Sequence, residues 1–164
     1  MRKIWQTIGI SCIYANRYYL FSHYPYKINH CYYRLPENTY AAPVKQEHIS
    51  RVDDAWPYKH STSHFYFATL ASNGLSYGLY SYNHELIAWV FINEYNFLLH
   101  LFCKEAFRRT GCAEYVLKWA VNEQLRDGDD IYAYVVEGNY KPLALFKKLG
   151  LRAIGDSAFM FVEK

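Results

Sequence analysis

No run in the 164-residue chain approaches the ~20 consecutive apolar residues that a membrane-crossing helix requires. The best stretch near the start, Ile8 to Tyr14, is broken by Ser11 and lacks a small-residue cleavage site, so a secretory signal is not expected either. Cysteine is sparse, and Cys12, Cys31, Cys103 and Cys112 form no C-x-x-C pair, which argues against a disulfide framework and a zinc site. His23, His30 and Cys31 cluster loosely at a spacing that fits no metal site, so no metal is expected. Internal repeats and low-complexity linkers are missing. Net charge is only +3, too little to argue for nucleic acid by itself. Acidic residues are absent from the first 36 positions, where Arg2, Lys3, Arg17, Lys27 and Arg34 stand alone, whereas 13 basic and 15 acidic residues follow from Glu37 onward. A reduced intracellular compartment is expected, cytoplasmic or mitochondrial, the acid-free start being compatible with the latter.

Aromatic residues, by contrast, are abundant at 20%, with 18 tyrosines, which favours strands over a plain helical bundle. With 52% hydrophobic and 20% charged residues the chain has material for a core, and its length suits one domain of ordinary size. Residues 1–30 read as an aromatic-rich extension or remnant. Its bases interleaved with aromatics suggest stacking on single-stranded bases, but Lys and Arg are too thinly spread, and an edge strand or packing arm is the cheaper reading. No nucleic-acid or membrane partner is therefore expected.

From residue 31 the pattern is regular. Cys31 to Leu35 reads as a strand ended by Pro36, and Lys45 to Trp56 as a helix stopped by Pro57. A second helix through Phe65 to Leu70 is capped by Ser61 or Ser63 and ends at Asn73-Gly74. Leu75 to Tyr80 and Leu86 to Asn93 form a hairpin, and Phe97 to Cys103 is a continuous apolar strand. The longest helix runs from Gly111 to Arg126, followed by a strand from Ile131 to Val136 and a helix from Tyr140 to Leu149. Leu151 to Ile154 and Ala158 to Val162 close the chain as two strands. The order β-α-α-β-β-β-α-β-α-β-β specifies an α/β domain, a mixed sheet with helices on its faces, over residues 31–164.

Chemistry concentrates where the strand ending Leu101-Phe102-Cys103 meets Arg108-x-x-Gly111-x-Ala113 at the start of the longest helix. Free amides at a helix N-terminus attract an anion, the small residues Gly111 and Ala113 admit it close to the backbone, and Arg108 and Arg109 add charge at the rim. Farther on stands Asn139-Tyr140-Lys141-Pro142-Leu143-Ala144-Leu145-Phe146-Lys147-Lys148-Leu149-Gly150-Leu151. Two such motifs at this separation resemble the GNAT family of acyl-CoA-dependent N-acyltransferases. Trp56-Pro57, the stretch Asn73 to Tyr80 and Glu85 to Phe91 are similar to its glycine N-acyltransferase-like branch, the FR47-like domain of the insect type, over roughly residues 31–164.

That resemblance implies the GNAT fold, acyl-CoA as co-substrate without a metal, and transfer of the acyl group to the amine of glycine or another small acceptor. It places the pyrophosphate on Arg108, Arg109, Thr110, Gly111, Cys112 and Ala113, and the pantetheine amides on the backbone of Leu101, Phe102 and Cys103, between splayed strands 97–103 and 131–136. Asn139, Phe146 and Lys147 would flank the pantetheine arm. Two family features are missing. The position of the general base holds Phe97, and that of the tyrosine that protonates the leaving thiolate holds Phe146. Alternation along the strand puts Phe97, Leu99, Leu101 and Cys103 on one face and His100 on the other. Glu94 and His100 are then the candidate proton acceptors, and a catalytically degenerate acyl-CoA-binding module is the alternative to an enzyme.

Overall fold

The computed structural model describes residues 11–23 and 34–163. The strands are β1 (Ser11–His23), β2 (Thr39–Ala42), β3 (Ser76–Ser81), β4 (Leu86–Ile92), β5 (Phe97–Cys103), β6 (Ile131–Val136) and β7 (Arg152–Glu163). The helices are α1 (Ile49–Asp54), α2 (Ser63–Ser72), α3 (Cys112–Arg126) and α4 (Tyr140–Lys148), with 3-10 turns at Gln46–His48 and Glu105–Phe107. No helix among the described residues is long and apolar enough to cross a membrane. The chain divides into two compact units, Pro25–Ile131 and, from its two ends, Met1–Tyr24 with Tyr132–Lys164.

In the unit Pro25–Ile131, strands β2, β3, β4 and β5 lie side by side in that order, antiparallel throughout. All seven residues of β4 are buried, as expected of an unbroken apolar run covered on both faces. One face packs against α1 and α2 through Val44, Ile49, Val52, Phe67, Leu70, Tyr80, Leu86, Trp89 and Phe91. Full burial of side chains such as Phe67 and Phe91 contributes about 1.5–3 kcal/mol each. The opposite face carries α3, whose Cys112, Val116, Leu117, Ala120, Val121 and Gln124 form a buried stripe at helical spacing, and whose Trp119 meets Tyr77 edge-on at 5.0 Å. The helix stops at Asp127 because Gly128 adopts φ +86°, which lets the Asp129 and Gly128 amides close on the Gln124 and Leu125 carbonyls.

In the other unit β1 and β7 pair antiparallel over almost their whole lengths, from Ser11 opposite Glu163 to Ser22 opposite Arg152. Thus part of the segment expected as an extension is a 13-residue strand. The two expected closing strands are one strand, because continuous pairing with β1 holds Gly155 to Ser157 extended and a bulge absorbs the irregularity at Ile154. Of the strand expected at 31–35, residues 31–33 lie outside the described residues, and Arg34 and Leu35 are not in a strand. Its place is taken by β2, four residues whose short Thr-Tyr-Ala-Ala run carries little pattern and which is held by pairing with β3. The helix expected at 45–56 is a single 3-10 turn followed by the six-residue α1.

Candidate functional site

The register of β5 changes midway. Trp89 faces Phe102 and Phe91 faces Leu99, so the single residue Val90 stands opposite both His100 and Leu101. This is a β-bulge, and His100 takes φ +54° within it. The expected alternation is therefore corrected. Phe97 and Leu99 lie on the side of Phe102, while Leu101 and Cys103 lie on the opposite side, because the extra residue shifts the pleat by one. His100 turns to the same side as Leu99 and Phe102, with its ring 5.3 Å from Phe67 and 5.7 Å from Trp89.

Of the two proton-acceptor candidates, His100 donates from Nε2 to the Val52 carbonyl at 2.8 Å. Burial pulls its pKa down to about 4, the hydrogen bond to Val52 opposing only in part. Glu94 is exposed in the β4–β5 turn and accepts a hydrogen bond from the Tyr66 hydroxyl at 3.0 Å. That phenol is held well above its ordinary pKa, first by burial and then by the Glu94 carboxylate. Phe97 begins β5 with its amide bonded to Asn93 Oδ1 at 2.8 Å.

Past β5, Lys104 anchors the loop. Its amide donates to the Ile87 carbonyl at 2.9 Å, and its ammonium pairs with Glu85, which Arg51 also approaches at 3.7 Å. Lys104 accordingly holds the Glu85 carboxyl below the usual carboxylate range. After the 3-10 turn the backbone passes through extended Arg108, left-handed Arg109 at φ +65° and left-handed Gly111 at φ +88°. Arg108 Nε donates to the Cys103 carbonyl at 3.3 Å, and Thr110 Oγ1 to the Phe107 carbonyl at 2.6 Å. Cys112 Sγ lies 3.1 Å from Thr110 Oγ1 and is buried.

The first bond inside α3 runs from the Tyr115 amide to the Gly111 carbonyl at 2.9 Å, and among the described residues no side chain caps the helix. Among the described residues no protein acceptor takes the amide hydrogens of Arg109, Thr110, Gly111 or Cys112. The Ala113 amide is spent on the Cys103 sulfur, whose thiol burial nevertheless pushes up to about 11. Cys103 is thus a packing residue rather than a nucleophile. Four consecutive donors at the positive end of a 15-residue helix, with the Arg108 and Arg109 side chains exposed beside them, can hold a diphosphate. A Cβ on Gly111 would meet nothing within 4 Å, so the approach to these amides is open.

Beside the loop lies a cavity of about 460 Å³, lined by residues 34–37 and by Thr110, Gly111, Glu114, Tyr115 and Lys118. Arg34, Glu114, Tyr115 and Lys118 were not expected at the site. The signal was present in the helical spacing from Gly111, since positions 111, 114, 115 and 118 share one face of α3. The loop brings Cys103 and Arg108 to Ala113 together, and Phe102 stacks on Trp89 at 4.4 Å. Asn139, Phe146 and Lys147 lie in the other unit. There Asn139 precedes α4 and bonds its amide to the Val136 carbonyl at 3.0 Å, Phe146 is buried, and Lys147 is exposed in the last turn. Among the described residues no group of histidine, cysteine and carboxylate side chains could hold a metal ion.

The model of the FR47-like protein family matches residues 76–160. No curated protein matches the chain. A Drosophila protein solved by X-ray crystallography superposes with a TM-score of 0.84 at 22% identity, covering 94% of this chain and 53% of that one. A GCN5-related N-acetyltransferase from Sphaerobacter thermophilus gives 0.69 at 11% identity, covering 99% and 55%. An Arabidopsis thaliana protein in complex with a bisubstrate analogue of CoA gives 0.60 at 12% identity, covering 77% and 99%. The chain therefore spans about half the length of the first two of these structures, and its fold is that of the GNAT acetyltransferases.

Proposed function

The chain belongs to the FR47-like protein family, and from that premise we propose that it is an acyl-CoA-dependent N-acyltransferase acting on glycine or another small primary amine. The observation that carries this reading is the row of unspent amides from Arg109 to Cys112 beside an open cavity. Arg108 and Arg109 supply positive charge at the rim, and the diphosphate of the thioester completes the donors' bonding. Leu101 to Cys103 would pair with the pantetheine amides, and the bulge at His100 frees backbone groups there from the β4 ladder.

In the reaction the amine nitrogen attacks the thioester carbonyl, a C–N bond forms, and the C–S bond breaks with the thiolate as leaving group. The ammonium form of the acceptor must first lose a proton. His100, neutral and tied to Val52, is a poor acceptor for it, which leaves Glu94 or solvent. Holding the two reactants together and polarising the thioester carbonyl contribute rate in such a site without a base. Phe97 and Phe146, neither of which exchanges a proton, favour a second reading, in which the chain binds acyl-CoA and turns it over poorly or not at all.

Titration calorimetry of coenzyme A against the wild type and Gly111→Glu tests the shared premise. The glutamate puts bulk and negative charge where the diphosphate belongs and strains the left-handed turn at φ +88°, so binding is expected to vanish while circular dichroism keeps the native helix and sheet signal at some loss of thermal stability. Equal affinity in the two proteins would refute the assignment of the loop. Release of free thiol from acetyl- or benzoyl-CoA with a panel of amino acids then separates the readings, since binding without thiol above background selects the second.

A further inference from the structure

We propose that Glu85 is a positioning residue for binding of the thioester: its ion pair with Lys104 holds the loop in the path that aligns the amides of residues 109–112. The inference rests on the acyl-CoA reading above and adds to it a side chain outside the donor row. Lys104 stands between the last residue of β5 and the 3-10 turn. Its amide donates to the Ile87 carbonyl, and its own carbonyl accepts the Phe107 amide, both at 2.9 Å. The Arg108 amide then closes on the Glu105 carbonyl at 3.1 Å. The donor row therefore hangs from Lys104 through one turn of backbone.

The Lys104 ammonium meets Glu85, the residue before β4. That carboxylate stands on a fixed base. The Glu85 amide donates to Ser81 Oγ at 3.3 Å and its carbonyl accepts the Ser81 amide at 2.9 Å, which closes the turn between β3 and β4. The Lys104 side chain is only 22% exposed, so the pair holds better than a freely solvated one. Lys104 keeps the Glu85 carboxyl below its ordinary range, hence charged at neutral pH. What this hold secures is strained: Arg109 sits at φ +65°, a left-handed conformation that an arginine keeps only where its surroundings impose it. Freed at Lys104, the segment relaxes at Arg109 and the four amides lose their common aim. The sheet does not depend on the pair, because β4 is fully buried and laddered on both sides.

Titration calorimetry of coenzyme A against the wild type, Glu85→Ala, Lys104→Met and the double variant tests this on the full chain. The sign of the Glu85→Ala effect decides. Taking away a negative charge raises, if anything, the attraction for a polyanion, so electrostatics alone gives equal or tighter binding. Loss of position gives weaker binding, by about tenfold, the scale of one charge-assisted hydrogen bond. With the ammonium already removed by Lys104→Met, Glu85→Ala should weaken binding no further. Ser63→Ala, which removes the hydroxyl bonded to Asp53 at the corner between α1 and α2, controls for destabilisation and should bind coenzyme A like the wild type. Equal or tighter binding by Glu85→Ala, additive losses in the double variant, or an equal loss in Ser63→Ala would overturn the inference. Should Glu85→Ala fail to fold, Glu85→Gln keeps the shape and one acceptor and carries the same test, with an expected loss of about threefold. If Gly111→Glu abolishes binding and Glu85→Ala does not weaken it, the loop assignment stands without this inference, whereas no binding by the wild type removes both.

Discussion

Lowering the pH towards 4 should withdraw a defined share of the stability through one imidazole. His100 titrates at 6.5 in an unfolded chain and at about 4 in the native state, because its ring is enclosed by Trp56, Phe67, Trp89 and Phe102. Between these values the unfolded chain binds a proton that the native chain refuses, so stability rises with pH across that window. The displacement corresponds to roughly 2–3 kcal/mol once screening of a half-buried ring is allowed for. Glu85 and Asp53, both held below ordinary carboxylate values, begin to lose their contributions towards the acid end of the window, but they do so equally in both proteins of the comparison below and cancel there. The assay is urea unfolding at intervals from pH 7 to pH 4 for the wild type and His100→Asn. Asparagine is chosen because it tolerates the positive φ at this bulge. The stability difference between the two proteins should be constant above about pH 6.5 and shift against the wild type by roughly 2–3 kcal/mol by pH 4. Parallel pH profiles, or an imidazole resonance titrating near its unfolded value, would refute the reasoning. The latter result would also return His100 to the role of general base.

Other substitutions probe separate features. Gly78→Ala puts a Cβ 2.9 Å from the Ala42 carbonyl and 3.1 Å from Leu86 Cδ1, so thermal unfolding should show a loss of about 1–3 kcal/mol as β2 is forced from β3. Ser63→Ala leaves the buried Asp53 carboxylate with Lys59 at 3.2 Å as its remaining ion-pair partner, and should cost about 1–3 kcal/mol in urea. Phe97→Glu supplies a carboxylate where the resemblance to the N-acyltransferases would put a general base and should raise amine-dependent thiol release, by up to about 10²–10⁴-fold if the base is all that is missing. An unchanged rate in a folded variant would dissociate Phe97 from the chemistry.

Local pattern determined much of the molecule. The hairpin, β5, α3, β6 and α4 could be read because the strands are short runs dominated by apolar and aromatic residues, α3 carries a buried stripe, and both helices end at a glycine. A donor row at the start of α3 was legible for the same reason, but its bounds were not: of the stretch Arg108 to Ala113, the Arg108 amide bonds the Glu105 carbonyl and the Ala113 amide meets the Cys103 sulfur, which leaves Arg109 to Cys112.

What the sequence could not decide depends on distant partners. The bulge that reverses the faces of β5 is visible only against β4, so counting by twos along Phe97 to Cys103 misassigned Leu101 and Cys103 relative to Phe97. The 12 residues of β7 form one strand because β1, more than a hundred positions away, offers them a ladder. Likewise Arg34 meets the face of α3 at the cavity only through the fold, and His100 loses its basicity because Trp56, Phe67 and Trp89 from other parts of the chain close around it together with Phe102 of its own strand. Periodicity is a property of consecutive residues, whereas pairing register, enclosure and desolvation are set by residues that only folding brings within reach.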